Sequence, residues 1–203
     1  MVRDLVAGMR VIAGRPALAR ATLTSVVCCA AQGMLAACVP LLGEEVLGRA
    51  GRGAVLLSCT AVSGLAANAV LARFPLALAP DTVVRAGALV QAAALALAAA
   101  GGPGVLVVAA LVAGVGEGPQ LAALFAVRHR ESPDCLRGQI FTTGASMKTT
   151  AYALGAAVAG PLAARSLTAA VSLAAGVAAL AALAFAAVPR AAAPRGDPGG
   201  DRP

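Results

Sequence analysis

Charge and aromatic rings are scarce in this chain. Only 12% of its 203 residues are Asp, Glu, Lys or Arg, and 2% are aromatic. An ordinary soluble domain carries about a quarter charged residues. So few rings leave little for nucleic-acid bases to stack on. The basic residues lie between apolar runs and are not gathered on one element. The net charge of +7 therefore does not describe a nucleic-acid binder. His129 is the only histidine, and neither an H-E-x-x-H pattern nor a paired-aspartate constellation is present, so an enzyme is not expected. Cys28, Cys29, Cys38, Cys59 and Cys135 form no C-x-x-C pair, which argues against a zinc site or a disulfide scaffold. The first four lie inside apolar runs and read as small filler. No G-x-x-x-x-G-K-[ST] loop occurs, so ATP is not the driving force within this chain, and no cofactor is expected.

What the chain does have is apolar residues, 60% of the total. They fall into six runs, about 20–42, 53–73, 83–100, 104–127, 138–163 and 166–188, several as long as the roughly 20 residues a helix needs to cross a bilayer. The expected fold is all-α, an integral membrane six-helix bundle. Residues 1–16 read as an amphipathic cytoplasmic segment with Leu5, Met9 and Ile12 at helical spacing, or as a plain linker helix. Residues 17–189 read as the six-span domain, and the Gly/Pro-rich stretch 190–203 as a disordered cytoplasmic tail. Residues 21–37 with "LAAC" at 35–38 imitate a leader and processing box, but the later runs favour a first membrane helix.

Six spans put both chain ends on one side. Arg49, Arg52 and Arg165 fall on one side of the predicted topology, and the other twelve arginines on the opposite side. By the positive-inside bias the expected location is the cell membrane, multi-pass, with both termini cytoplasmic.

Two charges interrupt the oily runs. Glu117 is 11 residues from Arg128, about 16 Å along a helix, and Lys148 is 10 residues past Gly138, about 15 Å. Both distances are measured from the same edge, so the acid and the base reach one level, near the middle of a hydrocarbon layer about 30 Å thick. Each would cost roughly 2.5–3.5 kcal/mol or more to insert unpaired. Two readings stay open: a solvent-accessible path that binds substrate or a proton, or a structural ion pair locking the fourth run to the fifth. Gln120 lies at the edge of the Glu117 face, and Pro119 leaves the Val115 carbonyl without its helical donor, a candidate kink. Gln32, Asn68 and Gln91 are single polar groups in the first three runs, either glue between helices or binding groups. On the fifth run Thr142, Thr143, Ser146, Thr149 and Thr150 share one broad face. Lys148 groups with Gly144, Tyr152 and Gly155 on another.

The six spans, with "RHRESPDCLRGQIFTTGASMKTTAYALGAAVAGPLA" at 128–163, resemble the C-terminal half of a major facilitator superfamily transporter of the bacterial drug-efflux type. The resemblance implies that Arg128, Arg130 and Arg137 belong to a basic cytoplasmic loop and that the "RGQ-x-F" stretch starts the following helix. It makes Gln32, Asn68, Glu117, Gln120 and Lys148 candidates for the transport path. It implies secondary active, proton-coupled efflux (antiport) of a small molecule, by two six-helix halves rocking around a central site. The partners it implies are the lipid bilayer, an N-terminal half-transporter or a second copy, and the small-molecule substrate. The departures are length, since one wall of such a cavity is not in this chain, and the stretch "NAVLARFPLALAPD", which keeps Arg73 and Asp81 but lacks the family's glycine–acid–arginine pattern. A truncated or non-transporting membrane subunit is the alternative.

Overall fold

Alanine and leucine, both strong helix formers, dominate the apolar runs, while proline and paired glycines collect where the runs stop. The computed structural model describes residues 2–74 and 78–187. It contains α1 (Val2–Gly14), α2 (Pro16–Glu45), α3 (Gly53–Arg73), α4 (Pro80–Ala99), α5 (Pro103–Glu131), α6 (Arg137–Ala163) and α7 (Leu167–Ala187), with single 3-10 turns at Ala50–Arg52 and Asp134–Leu136. No strand occurs among the described residues, so the all-α expectation holds. Prolines open α2, α4 and α5, where a missing N–H goes unmissed. Gly101 and Gly102 take φ of 79° and 89°, a left-handed turn suited to glycine, and this reverses the chain between α4 and α5. The tail at 190–203 lies outside the described residues.

Four helices, α2 to α5, are long and apolar enough to cross a membrane. α6 is long enough at 27 residues, but Lys148 and its hydroxyl residues keep it out of that class. The apolar stretch of α7 is described over Leu167–Leu183. Six long helices are therefore present where six runs were expected, and four of them have the length and apolarity of a span.

The largest hydrophobic cluster draws Met34, Cys38 and Leu42 from the end of α2, Leu56 from the start of α3, Leu95 and Ala98 from the end of α4, Leu106 and Ala109 from the start of α5, Ala159 and Ala163 from the end of α6, and Ala170 and Val171 from the start of α7. Ends meeting starts in this way means that successive helices run in alternate directions. The opposite end of the bundle holds smaller clusters, such as Ala21 with Leu124 and Val127, and Val84 with Ala123 and Phe185.

Neighbours in sequence are not always neighbours in space. α2 is the central helix; its main partners are α6 and α7, while α5 packs chiefly on α3 and α4. α5 and α6 touch only sparsely. Short connections favour contact between consecutive helices, and the α5–α6 pair departs from that rule. α2 fills the space between α5 and α6 because its small residues accept a close neighbour. A side chain at Gly155 would strike the Ala30 carbonyl, and one at Gly33 would strike the Tyr152 carbonyl, so α2 and α6 meet backbone to backbone.

α1 packs on α6. Ile12 joins Leu18 and Ile140 in a buried cluster, and Gly8 lies against Thr143. Met9 is exposed, so the apolar stripe expected on α1 is divided between a packed edge and an open one.

Candidate functional site

The stretch "GVGEGPQ", residues 114–120, distributes its faces among four helices. Gly114 and Gly118 face α3: a Cβ at Gly114 would lie 2.9 Å from the Gly64 nitrogen, and one at Gly118 would lie 2.5 Å from the Gly64 oxygen. Gly116 faces α4, where a Cβ would meet Val90 at 3.0 Å and the Gly87 oxygen at 3.1 Å. Three glycines in a helix interior cost about 3 kcal/mol relative to alanine. Close backbone approach on two sides offsets that cost. Glu117 is left on the remaining face, toward α2 and α6.

Glu117 is the central residue of α5, fourteen residues from Pro103 and fourteen from Glu131. It lines a mid-bundle cavity of about 90 Å³ together with Ser25, Cys28, Cys29, Gln32, Gln120, Leu121 and Lys148. The acid and base placed at one level by counting residues thus face the same small space. They do not touch: no Glu117–Lys148 ion pair within 4.0 Å is found among the described residues. A cavity of this volume holds about three waters at liquid density. It is polar on all three contributing helices, α2, α5 and α6.

Of the other candidates, Gln32 and Gln120 line the cavity and Asn68 does not. The Asn68 amide lies 3.0 Å from a Cβ position at Gly118, on the α3 side of α5. Gln120 is tied to α4: its oxygen accepts from Gln91 Nε2 at 2.9 Å, and its nitrogen donates to the Val84 carbonyl at 3.2 Å. Gln91 is therefore glue between helices. Pro119 is carried in a continuous α5 and borders an apolar groove with Val70, Val83 and Val115, away from Glu117. The two faces of α6 are also resolved. Gly144, Lys148 and Gly155 turn toward the interior and Thr142, Ser146, Thr149 and Thr150 are exposed, but Thr143, expected with the hydroxyls, is buried against α1, and Tyr152, expected with Lys148, is exposed. Thr142 and Thr149 donate to the carbonyls of Gly138 and Ala145, one turn back.

The basic loop expected at 128–137 is shorter than its arginines suggested. Arg128 and Arg130 belong to the last turn of α5, and Arg137 is the first residue of α6. Arg128 is 1% exposed. Its guanidinium lies against Gly144, where a Cβ would be 3.0 Å from Nη1, and 6.0 Å from the centre of the Phe141 ring. Counting arginines gave no sign of this. The cue was Gly144, four residues before Lys148 on the same face, which makes room for a large neighbour.

At the same end of the bundle, Asp81 of α4 accepts from Arg20 of α2 and Arg130 of α5, each at 3.2 Å. Arg130 also bonds Glu131 at 2.9 Å, and the buried Arg20 lies 5.2 Å from the centre of the Phe185 ring. One carboxylate thus ties three helices at their Arg-rich end. Asp81→Asn leaves Arg20 buried with a weaker partner. The expected result is a loss of about 2 kcal/mol of stability, read as a lower thermal midpoint in detergent, while Arg130→Gln, at the exposed side of the same carboxylate, costs less than about 1 kcal/mol.

The fold and its central cavity define an all-helical bundle with opposite charges at mid-height and four helices of membrane-spanning character. Comparisons with known protein families, with curated proteins and with solved structures return no match.

Proposed function

We propose that this chain is a multi-pass membrane protein of the cell membrane that carries out secondary active transport of a small molecule, with Glu117 as its proton-exchanging group. Both termini face the cytoplasm, and the resemblance to a major facilitator half gives the direction as efflux. The observation that carries the reading is the shared cavity: Glu117 and Lys148 face one polar space at mid-bundle without forming an ion pair. A charge held at that depth for structure alone would be expected in direct contact with its counter-ion.

The exposed surface supports a partner. Val62, Leu65 and Val70 on α3 and Leu180 and Leu183 on α7 are exposed and apolar, as lipid-facing positions are. The exposed hydroxyls of α6 at 142, 146, 149 and 150 suit a wet wall or a second protein unit. The chain therefore works as one half, closed by a complementary six-helix unit or by a second copy of itself.

The test is accumulation in sealed vesicles under an imposed proton gradient, using anionic, neutral and cationic fluorescent probes. The chain is reconstituted alone and with the six-helix unit encoded nearest to it. The expected result is accumulation that a protonophore abolishes and that requires the second unit. Accumulation by the chain alone identifies self-pairing. No accumulation in either arm defeats the transport reading and leaves a non-transporting membrane subunit.

A further inference from the structure

The mid-bundle cavity carries one charge of each sign. Among the described residues that line it, Glu117 of α5 and Lys148 of α6 are the two ionic side chains, and no ion pair within 4.0 Å joins them. Taken as a sphere, a space of about 90 Å³ is about 6 Å across, room for a solute between charges that still feel one another. The third wall belongs to α2 and is polar but uncharged. It consists of Ser25, the adjacent thiols of Cys28 and Cys29, and the Gln32 amide, whose oxygen accepts from Cys29 Sγ at 3.7 Å. Gln120, the remaining polar group, is already engaged with Gln91 and the Val84 carbonyl of α4. Leu121 also lines the cavity and is 42% exposed, so the space reaches the bundle surface on that side.

These walls select among ligands by charge. Their formal charges sum to zero. A lone cation would compensate Glu117 and leave Lys148 facing a like charge, and a lone anion would do the reverse. Either leaves a net charge at a depth where unpaired charge is expensive. A solute without charge leaves both walls uncompensated. A solute that bears both signs close together compensates both walls and adds no net charge. Volume sets the spacing of those signs. Space for about three waters admits an ammonium and a carboxylate joined through one carbon, and the rest of the molecule leaves past Leu121.

We propose that the cavity binds the head of an α-amino acid, or a zwitterion of like size, with its ammonium on Glu117 and its carboxylate on Lys148. The inference rests on the transport reading and names the substrate class for the same site. It also supplies the exchange step. Proton and ammonium compete for the Glu117 carboxylate, so loading one discharges the other. The other titratable groups facing Glu117 across the cavity are Lys148 from α6 and the thiols of Cys28 and Cys29 from α2; among the described residues none from α3 or α4 lines it.

The test is titration calorimetry on the full chain in detergent at about pH 8, where an ordinary carboxyl is ionised and an ordinary lysine amine is charged. The probes are alanine, lactate and isopropylamine. Lactate replaces the ammonium of alanine by a hydroxyl, and isopropylamine replaces the carboxylate by a methyl group. Alanine is expected to bind at least about tenfold more tightly than either. 4-Aminobutyrate, with the same charges held further apart, should bind no better than the singly charged probes. Glu117→Gln removes the preference of alanine over lactate, and Lys148→Met removes its preference over isopropylamine. A folding defect would weaken all probes together, so this crossed loss is not its signature. Lowering the pH to about 5 weakens alanine and strengthens lactate, because protonated Glu117 no longer holds the ammonium or repels the anion. Failure of the wild-type chain to bind alanine, or equal affinity of alanine and either singly charged probe, overturns the proposal without recourse to a variant. The measurement needs neither a partner unit nor a gradient, so its outcome is separate from that of the vesicle assay.

Discussion

Glu117→Gln is expected to abolish proton-driven accumulation while leaving the protein folded. One elementary charge moving through 100 mV supplies about 2.3 kcal/mol, which sustains roughly a 50-fold concentration ratio. The variant should let that ratio fall to one, with any remaining movement passive and insensitive to pH. Glutamine keeps the size of the side chain and its hydrogen-bonding capacity in the cavity it shares with Gln32 and Lys148. It removes the titratable proton and with it the negative charge of the ionised form. If the glutamate instead served as half of a structural ion pair, stability would fall and accumulation would survive in the folded fraction. A double-mutant cycle of Glu117→Gln with Lys148→Met separates the two. Because the pair is not in contact, its coupling energy in thermal unfolding should be below about 1 kcal/mol. A larger coupling, or undiminished accumulation in Glu117→Gln, would remove the proton-exchanging role.

The second large effect concerns the crossing of α2 and α6. Gly155→Ala is expected to destabilise the bundle by about 3 kcal/mol, although it is the smallest possible enlargement. Its Cβ would strike the Ala30 carbonyl oxygen, with the carbonyl carbon at 2.9 Å and the Cα at 3.1 Å. Backbone atoms in a central helix have no rotamer by which to move aside. Gly33→Ala, at the Tyr152 carbonyl, should behave the same way. Gly176→Ala is the control. It has open space around it, so it should gain up to about 1 kcal/mol of helix propensity. Thermal unfolding in detergent, followed by size exclusion, reads all three. Equal behaviour of Gly155→Ala and Gly176→Ala would mean that α2 and α6 do not cross this closely in solution.

Local chemistry made the elements legible. The runs at 53–73 and 138–163 match α3 and α6 to within one residue, because proline, glycine and charge punctuate the chain at their ends. The level of Glu117 and Lys148 was legible for a similar reason. A helix rises by a constant amount per residue, and counting from a shared edge places both at one height. The contact between Gln91 and Gln120 was not legible, since a lone amide in an apolar run announces only that it needs a partner. The burial of Arg128 was not legible either. An arginine near the end of an apolar run reads as a solvated marker of topology, and only the packing of α6 against it reveals that water is excluded.

The amino-acid sequence by itself determined seven helical segments and the common depth of one acid and one base, because these depend on propensity and rise along a single segment; both ends of α2 and the C-terminal end of α5 run three or four residues past the apolar runs, into flanking proline and charged residues. Only the tertiary structure decided which helices are neighbours, that α2 stands between α5 and α6, and that Arg128 is buried against Gly144 of α6. Those outcomes follow from where backbones can approach closely. That depends on pairs of small residues far apart in the chain, such as Ala30 with Gly155, whose meeting no local pattern encodes.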